Sequence, residues 1–189
     1  MTRCPWVGEH PAMVVYHDSE WGVVERDSQR LFEALLLESA QAGLSWRTIL
    51  NKRDGYRQAF GQFSAEHIAA LRPVDVDRLL TNPAIVRHRG KIEAFVANAR
   101  AYLQLLDQGQ SFDDFVWQFV GGEPIQNNWR GMSDVPGHTN AAAAMSKALK
   151  QAGFKFVGPT TCYAFMQSAG LVNDHLVECF RHQQLRGTG

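Results

Sequence analysis

The chain reads as an all-α domain. Apolar residues recur at helical spacing over several stretches, and serines stand where helices need caps. Only one short run, Phe154-Lys155-Phe156-Val157, alternates like a strand, and it is too short to found a sheet. The 189 residues fit a single domain, 1–189. A hydrophobic share of 45% is enough for a sizeable core.

Taken in order, the segment to Trp21 has no period and is dense in Pro, Gly and aromatics, among them Trp6, Tyr16 and Trp21. It is expected to wrap over a core or a ligand; a plain packed arm is the alternative. Ser28 is the expected cap of the first helix. Leu31, Ala34, Leu35 and Ala42 form its apolar stripe, with Glu38 in the middle. Burying an unpaired carboxylate costs several kcal/mol or forces protonation, so an acid there needs a reason. The alternative is an acid at the stripe's edge with its head in water. Gly43 stops this helix, and Ser45 caps the next, placing Trp46 in its first turn. An acid and a large flat aromatic thus flank one corner, as a pocket for a flat, electron-poor heterocycle requires.

The helix opened by Ser45 is expected to run to about Phe60. Ser64 caps a short helix to Leu71, Pro73 breaks it, and another covers Val74 to Leu80. A turn at Asn82-Pro83 leads into a long helix with Ile92, Phe95, Val96, Ala99, Tyr102, Leu103 and Leu106 at nearly ideal period. Ser111 opens a helix to about Val120. Residues 121–139 read as loop, and Asn140 to Gln151 as a helix stopped at Gly153. Thr160–Gly170 and Asn173–Cys179 are expected as closing helices.

Three places carry chemistry. His175 and Cys179 are four apart, so on one helical face they could share a metal ion. Cys4 and His17 could complete a Cys2His2 set, with Zn2+ as the default; a metal-free core pair is the alternative. With every position filled by protein, such a site is structural, a clip between 4–17 and 175–179. An odd count of three cysteines, with no apolar signal region at the start, suits thiols or ligands and a cytoplasmic chain; a Cys4–Cys179 disulfide is the minor alternative. The turn Arg87-His88-Arg89-Gly90-Lys91 precedes a helix N-terminus and fits a nucleic-acid phosphate, or else is a solvated basic turn. Cys162, Tyr163, Phe165 and Gln167 could line a pocket. Net charge is zero, which argues against a non-specific nucleic-acid coat but not against a local basic face. No apolar run approaches the ~20 residues of a membrane span. No phosphate-binding loop, dinucleotide fingerprint or nucleophile elbow is present.

Several segments together resemble the 3-methyladenine DNA glycosylase I family. They are Arg3-Cys4-Pro5-Trp6, Tyr16-His17-Asp18-Ser19-Glu20-Trp21-Gly22 and Gln41-Ala42-Gly43-Leu44-Ser45-Trp46, then Arg87-His88-Arg89-Gly90-Lys91-Ile92, Gly153-Phe154-Lys155-Phe156-Val157-Gly158 and Gly170-Leu171-Val172-Asn173-Asp174-His175. The likeness runs from about Arg3 to Cys179. It implies a helix-hairpin-helix glycosylase fold and one structural Zn2+ on Cys4, His17, His175 and Cys179. It also implies excision of 3-methyladenine from alkylated double-stranded DNA. Separately from the resemblance, the chain is expected to be a monomer. Glu38 and Tyr16 would bond the lesion's polar edge and Trp46 would stack on it, with Trp6 and Trp21 as further pocket walls. Arg87, Arg89, Gly90 and Lys91 would meet the DNA backbone. Two departures stand out: the turn before Gly90 lacks the usual first glycine, and the Asp common in the wider superfamily is not apparent. A non-catalytic lesion reader and a metallohydrolase built on the Cys/His set are the other classes open.

Overall fold

The structure is a computed structural model describing residues 1–186; the last three residues of the expected 1–189 domain lie outside it. Ten helices are described: α1 Pro11–Ser19, α2 Ser28–Gln41, α3 Trp46–Ala59, α4 Ala65–Ala69, α5 Pro73–Leu79, α6 Arg89–Asp107, α7 Phe112–Trp117, α8 Asn140–Gln151, α9 Pro159–Ser168 and α10 Phe180–Gln184. Two-residue strands β1 Ile125–Gln126 and β2 Val172–Asn173 pair in parallel, Ile125 opposite Val172. Among the described residues no helix is long and apolar enough to cross a membrane.

The centre is α2. It packs against α3, α6, α7 and α9, and Leu31, Phe32, Leu35 and Leu36 are fully buried. Helices on so many sides bury the run from Leu35 to Ala40 on every face, so Glu38 is buried as well, at 5% exposure. The cap lies one residue earlier than expected: Asp27 accepts from the Arg30 N–H at 2.9 Å. Ser28 instead ties α2 to α7, donating to Asp113 Oδ1 at 2.9 Å and accepting from the Asp113 N–H at 3.1 Å. Ser45, Ser64, Ser111 and Thr139 each accept from a backbone N–H three residues on and cap α3, α4, α7 and α8. On α6 the buried stripe ends on Leu105 rather than Leu106, which is 40% exposed.

Three segments differ from expectation. The N-terminal arm is not irregular: it holds a 3-10 turn over Pro5–Val7 and then α1, opened by Pro11. Its helix lacks an apolar stripe, because buried Met13 and Tyr16 neighbour an exposed Val15. Phe154–Val157 forms no strand; it is the hairpin between α8 and α9, with Phe156 at φ +55°. Asn98 of α6 pins that hairpin, accepting from the Lys155 N–H at 2.6 Å and donating to the Lys155 carbonyl at 3.1 Å.

The third difference matters most. Asn173–Cys179 is not a helix. Val172 and Asn173 pair with β1, and Leu176–Cys179 is a turn closed by Cys179 N–H to Leu176 O at 2.8 Å. Buried polar side chains hold this path open. Asn173 donates to the His182 carbonyl at 3.0 Å and to Gln126 Oε1 at 2.9 Å, while Asp174 takes donors from two other segments. A helix would strip those partners away, and buried polar groups without partners are costly.

Candidate active site

The corner after α2 is a type II turn. The Leu44 N–H donates to Gln41 O at 2.7 Å, with Ala42 at φ −46°, ψ 119° and Gly43 at φ +77°. The positive φ explains the glycine. The turn sets Glu38 on the last turns of α2 and Trp46 on the first residue of α3, facing one cavity of about 320 Å³. Trp6, Tyr16 and Trp21 from the N-terminal arm line the same cavity. The five pocket residues singled out in the sequence therefore stand together. Trp6 and Trp21 meet edge to face at 4.9 Å, and Tyr16 leans on Trp46 at 5.3 Å. The Trp46 indole N–H is buried and has no partner among the described residues, a donor left for a ligand.

Burial raises the Glu38 carboxyl to about 8, opposed by the Ser168 hydroxyl. Burial also raises the Tyr16 phenol, with Glu38 adding to the effect. The empty cavity thus holds mainly neutral Glu38 at pH 7, and an incoming cation favours its ionised form.

The opposite walls were only partly legible in sequence: Tyr163 and Gln167 line the cavity as expected, whereas Cys162 and Phe165 do not. One is the α9 face Thr160, Tyr163, Ala164 and Gln167; the other is the loop Met132, Val135, Pro136 and Gly137. Asp174 joins them. Its Oδ1 accepts from Asn127 Nδ2 at 2.7 Å and Trp129 Nε1 at 2.9 Å; its Oδ2 accepts from Gln167 Nε2 at 2.8 Å and from the Tyr163 hydroxyl. Tyr163 and Gln167 carried a sequence signal, but Asp174 as their shared acceptor did not, because its donors lie up to 47 residues away.

Beside the cavity sits the Cys/His cluster. The ligand atoms of Cys4, His17, His175 and Cys179 lie within 4.8 Å of one another, and all four residues are buried. His175 Nδ1 is 3.7 Å from Cys4 Sγ and 3.5 Å from Cys179 Sγ; His17 Nε2 is 3.4 Å from Cys179 Sγ. A tetrahedron with metal–ligand bonds of ~2.0–2.3 Å has edges near ~3.6 Å, so the donor set fits a metal ion. The outer nitrogens are engaged. His175 Nε2 donates to Trp21 O at 3.0 Å, and His17 Nδ1 to Asp18 Oδ1 at 2.8 Å, so the inner nitrogens carry lone pairs; that of His17 accepts only a long contact from the Cys4 N–H at 3.5 Å. Arg3 grips Asp18 through two nitrogens, and holds its carboxyl down at about 2. Burial lowers His175 to about 4, the neutral ligand form, and raises Cys4 to about 12, a thiol that needs a cation beside it to ionise. Gly22 lets the arm pass: a Cβ there would stand 3.1 Å from His175 Nε2. His175 and Cys179 meet across a turn, not along the helical face expected.

The basic turn is split. Arg87 is exposed. Arg89 is half-exposed, with Asp77 and Glu93 as partners. Gly90 lies in the first turn of α6, near Phe156 of the other hairpin. Lys91 departs from the expected phosphate contact: it is 7% exposed and donates to Ala40 O at 2.8 Å and Ala42 O at 2.7 Å. A charge at the end of α2 draws the ammonium inward.

A model of the methyladenine glycosylase family matches residues 6–182. The chain belongs to that family. DNA-3-methyladenine glycosylase 1 of Escherichia coli strain K12 is 54% identical over 179 residues, 95% of this chain and 96% of the relative. A crystal structure of a 3-methyladenine DNA glycosylase I superposes with a TM-score of 0.94 at 54% identity, covering 95% of this chain and 98% of that one. A variant of 3-methyladenine DNA glycosylase I in complex with 3-methyladenine superposes at 0.91 with 42% identity, covering 95% and 97%. In this methyladenine glycosylase the cavity between Glu38 and Trp46 is the candidate base pocket.

Proposed function

We infer that this chain is a DNA-repair N-glycosylase that flips 3-methyladenine out of alkylated DNA and hydrolyses its glycosidic bond, leaving an abasic site. The observation that carries the reading is a buried carboxylate, Glu38, in a cavity walled by Tyr16, Trp6, Trp21 and Trp46. Methylation at N3 makes adenine cationic, so its bond to the sugar is weak and the base leaves readily. The protein's task is recognition and placement. Flipping costs a few kcal/mol, less for a damaged pair. Trp46 stacks on the electron-poor ring, a contact worth ~0.5–2 kcal/mol. Glu38, ionised by the arriving charge, accepts from the exocyclic amine side. Neutral adenine leaves Glu38 protonated and gains less from both contacts, and selectivity follows from charge rather than size. A water then attacks the sugar carbon as the base departs.

DNA is gripped beside the pocket. The α9 N-terminus follows a hairpin, has no side-chain cap, and exposes Lys155 next to it. Free N–H groups at a helix start favour a phosphate. Thr160, Tyr163 and Gln167 of the same helix line the cavity, so one helix would hold the backbone at its tip and the base on its face. This α8–hairpin–α9 unit is the helix-hairpin-helix element we assign. The turn bearing Arg87, Arg89 and Gly90 lies against it through His88 and Phe156, ring centroids 6.5 Å apart, and extends the grip.

The ion we assign to Cys4, His17, His175 and Cys179 is Zn2+, the common partner of a Cys2His2 set. With four protein ligands it would supply a cross-link between the N-terminal arm, which carries Trp6, Tyr16 and Trp21, and the C-terminal turn.

The test is incubation of the protein with methylated duplex DNA and chromatography of the freed bases. Released 3-methyladenine is the expected product. Lesion binding with no base released would make the chain a reader, and activity that changes in kind with the metal bound would favour a metallohydrolase.

A further inference from the structure

Lys91 points away from the surface its neighbours Arg87 and Arg89 occupy. Its Nζ reaches Ala40 O at 2.8 Å and Ala42 O at 2.7 Å. It makes no ion pair among the described residues, so carbonyl dipoles alone answer its charge. Helix ends favour such a cation, but the second acceptor carries a more specific consequence. Ala42 O belongs to the central peptide of the Gln41–Leu44 turn. Types II and I differ by a flip of that peptide. A cation bonded to its oxygen holds one of the two. On either side of the turn stand Glu38 and Trp46, with Gln41 inside it, and all three line the base cavity.

We propose that Lys91 is a positioning residue for base recognition: its ammonium locks the central peptide of the Gln41–Leu44 turn and so holds Glu38 and Trp46 at the separation the base requires. This rests on the reading of the cavity as the base pocket. It also ties the start of α6, at the DNA-facing turn, to the corner that shapes the pocket.

Lys91→Met tests it, since methionine keeps the apolar stem and loses the donors; Lys91→Gln serves if the methionine variant does not fold. The probe is free 3-methyladenine, its binding followed by tryptophan fluorescence, with no DNA present. The full chain with Lys91→Met is expected to bind the base at least tenfold more weakly. Its circular dichroism and the salt slope of duplex binding should stay unchanged. Lys91→Arg, which keeps charge and donors, should recover part of the affinity. Wild-type base affinity in Lys91→Met would overturn the proposal. So would a salt slope shallower by ~0.9 with base affinity intact, the mark of a phosphate contact. A general stability effect is separated by Val76→Ala, a buried site on α5 outside the cavity lining. That variant should melt lower and bind the base normally; equal weakening there would reduce Lys91 to a structural role. Failure of the wild-type chain to bind the base would overturn the pocket reading itself, and the proposal with it.

Discussion

Glu38 combines a functional need with a cost to the fold. Its carboxyl stands at about 8 in the folded chain against an ordinary 4.5. Below the unfolded value both states keep the proton and the residue costs nothing. As pH rises the unfolded chain gives up its proton first, so stability falls across this window and levels off above about pH 8. Glu38→Gln removes that loss. By thermal melting the variant is expected to match wild type near pH 4 and to exceed it near pH 8 by on the order of 4 kcal/mol. The same group shapes activity: kcat/KM is expected to rise with pH and flatten above about 8 as the free enzyme's Glu38 ionises. A profile flat from pH 6 to 9 would remove Glu38 charge from recognition. The sequence already marked this residue, because a carboxylate inside an apolar helical stripe is out of place. It did not mark Asp174, whose four donors come from Asn127, Trp129, Tyr163 and Gln167 and have no local pattern.

Among the elements, legibility followed periodicity. Helices α2, α3, α6 and α8 have apolar stripes or capping residues and stand close to their expected bounds. Helix α1 has neither, because its buried residues face two sites at once: Tyr16 the base cavity, His17 the Cys/His cluster. The stretch from Asn173 to Cys179 misled in the opposite way. His175 and Cys179 have helical spacing, yet a turn closed by Leu176 and Cys179 brings them to the same cluster. That the four residues cluster was legible there and the local structure was not. The outer shell gives a sharp expectation: Asp18→Asn, which weakens the acceptor orienting His17, should lower metal retention about 10–100-fold in competition with a chelator. Metal analysis of the wild-type chain should find about one equivalent of zinc. A folded, active and metal-free preparation would refute the assignment.

Across the whole molecule, zero net charge means that the proposed contact with a polyanion needs a local face. The sequence drew attention to part of the proposed face. Arg87 and Arg89 drew attention as a cluster, whereas the α8–α9 hairpin looked like a short strand, because Phe154 and Val157 are buried on one side of a turn. Arg87→Ala and Lys155→Ala are each expected to reduce the salt slope of duplex binding by ~0.9, with free-base affinity unchanged. An unaltered slope in both would move the DNA elsewhere on the surface. Phosphate grip at the tip of α9 and base recognition on its flank would then no longer share one rigid element.

Selection of the base by charge is tested most directly by the single-turnover rate of 3-methyladenine release from methylated duplex by wild type and by Glu38→Gln, with circular dichroism on both. Rapid release is expected from wild type and a loss of at least ~100-fold in the folded variant, an effect of the size seen when one preorganised electrostatic partner is removed. Equal rates in two folded proteins would contradict it, and selection of the base by charge would have to be abandoned.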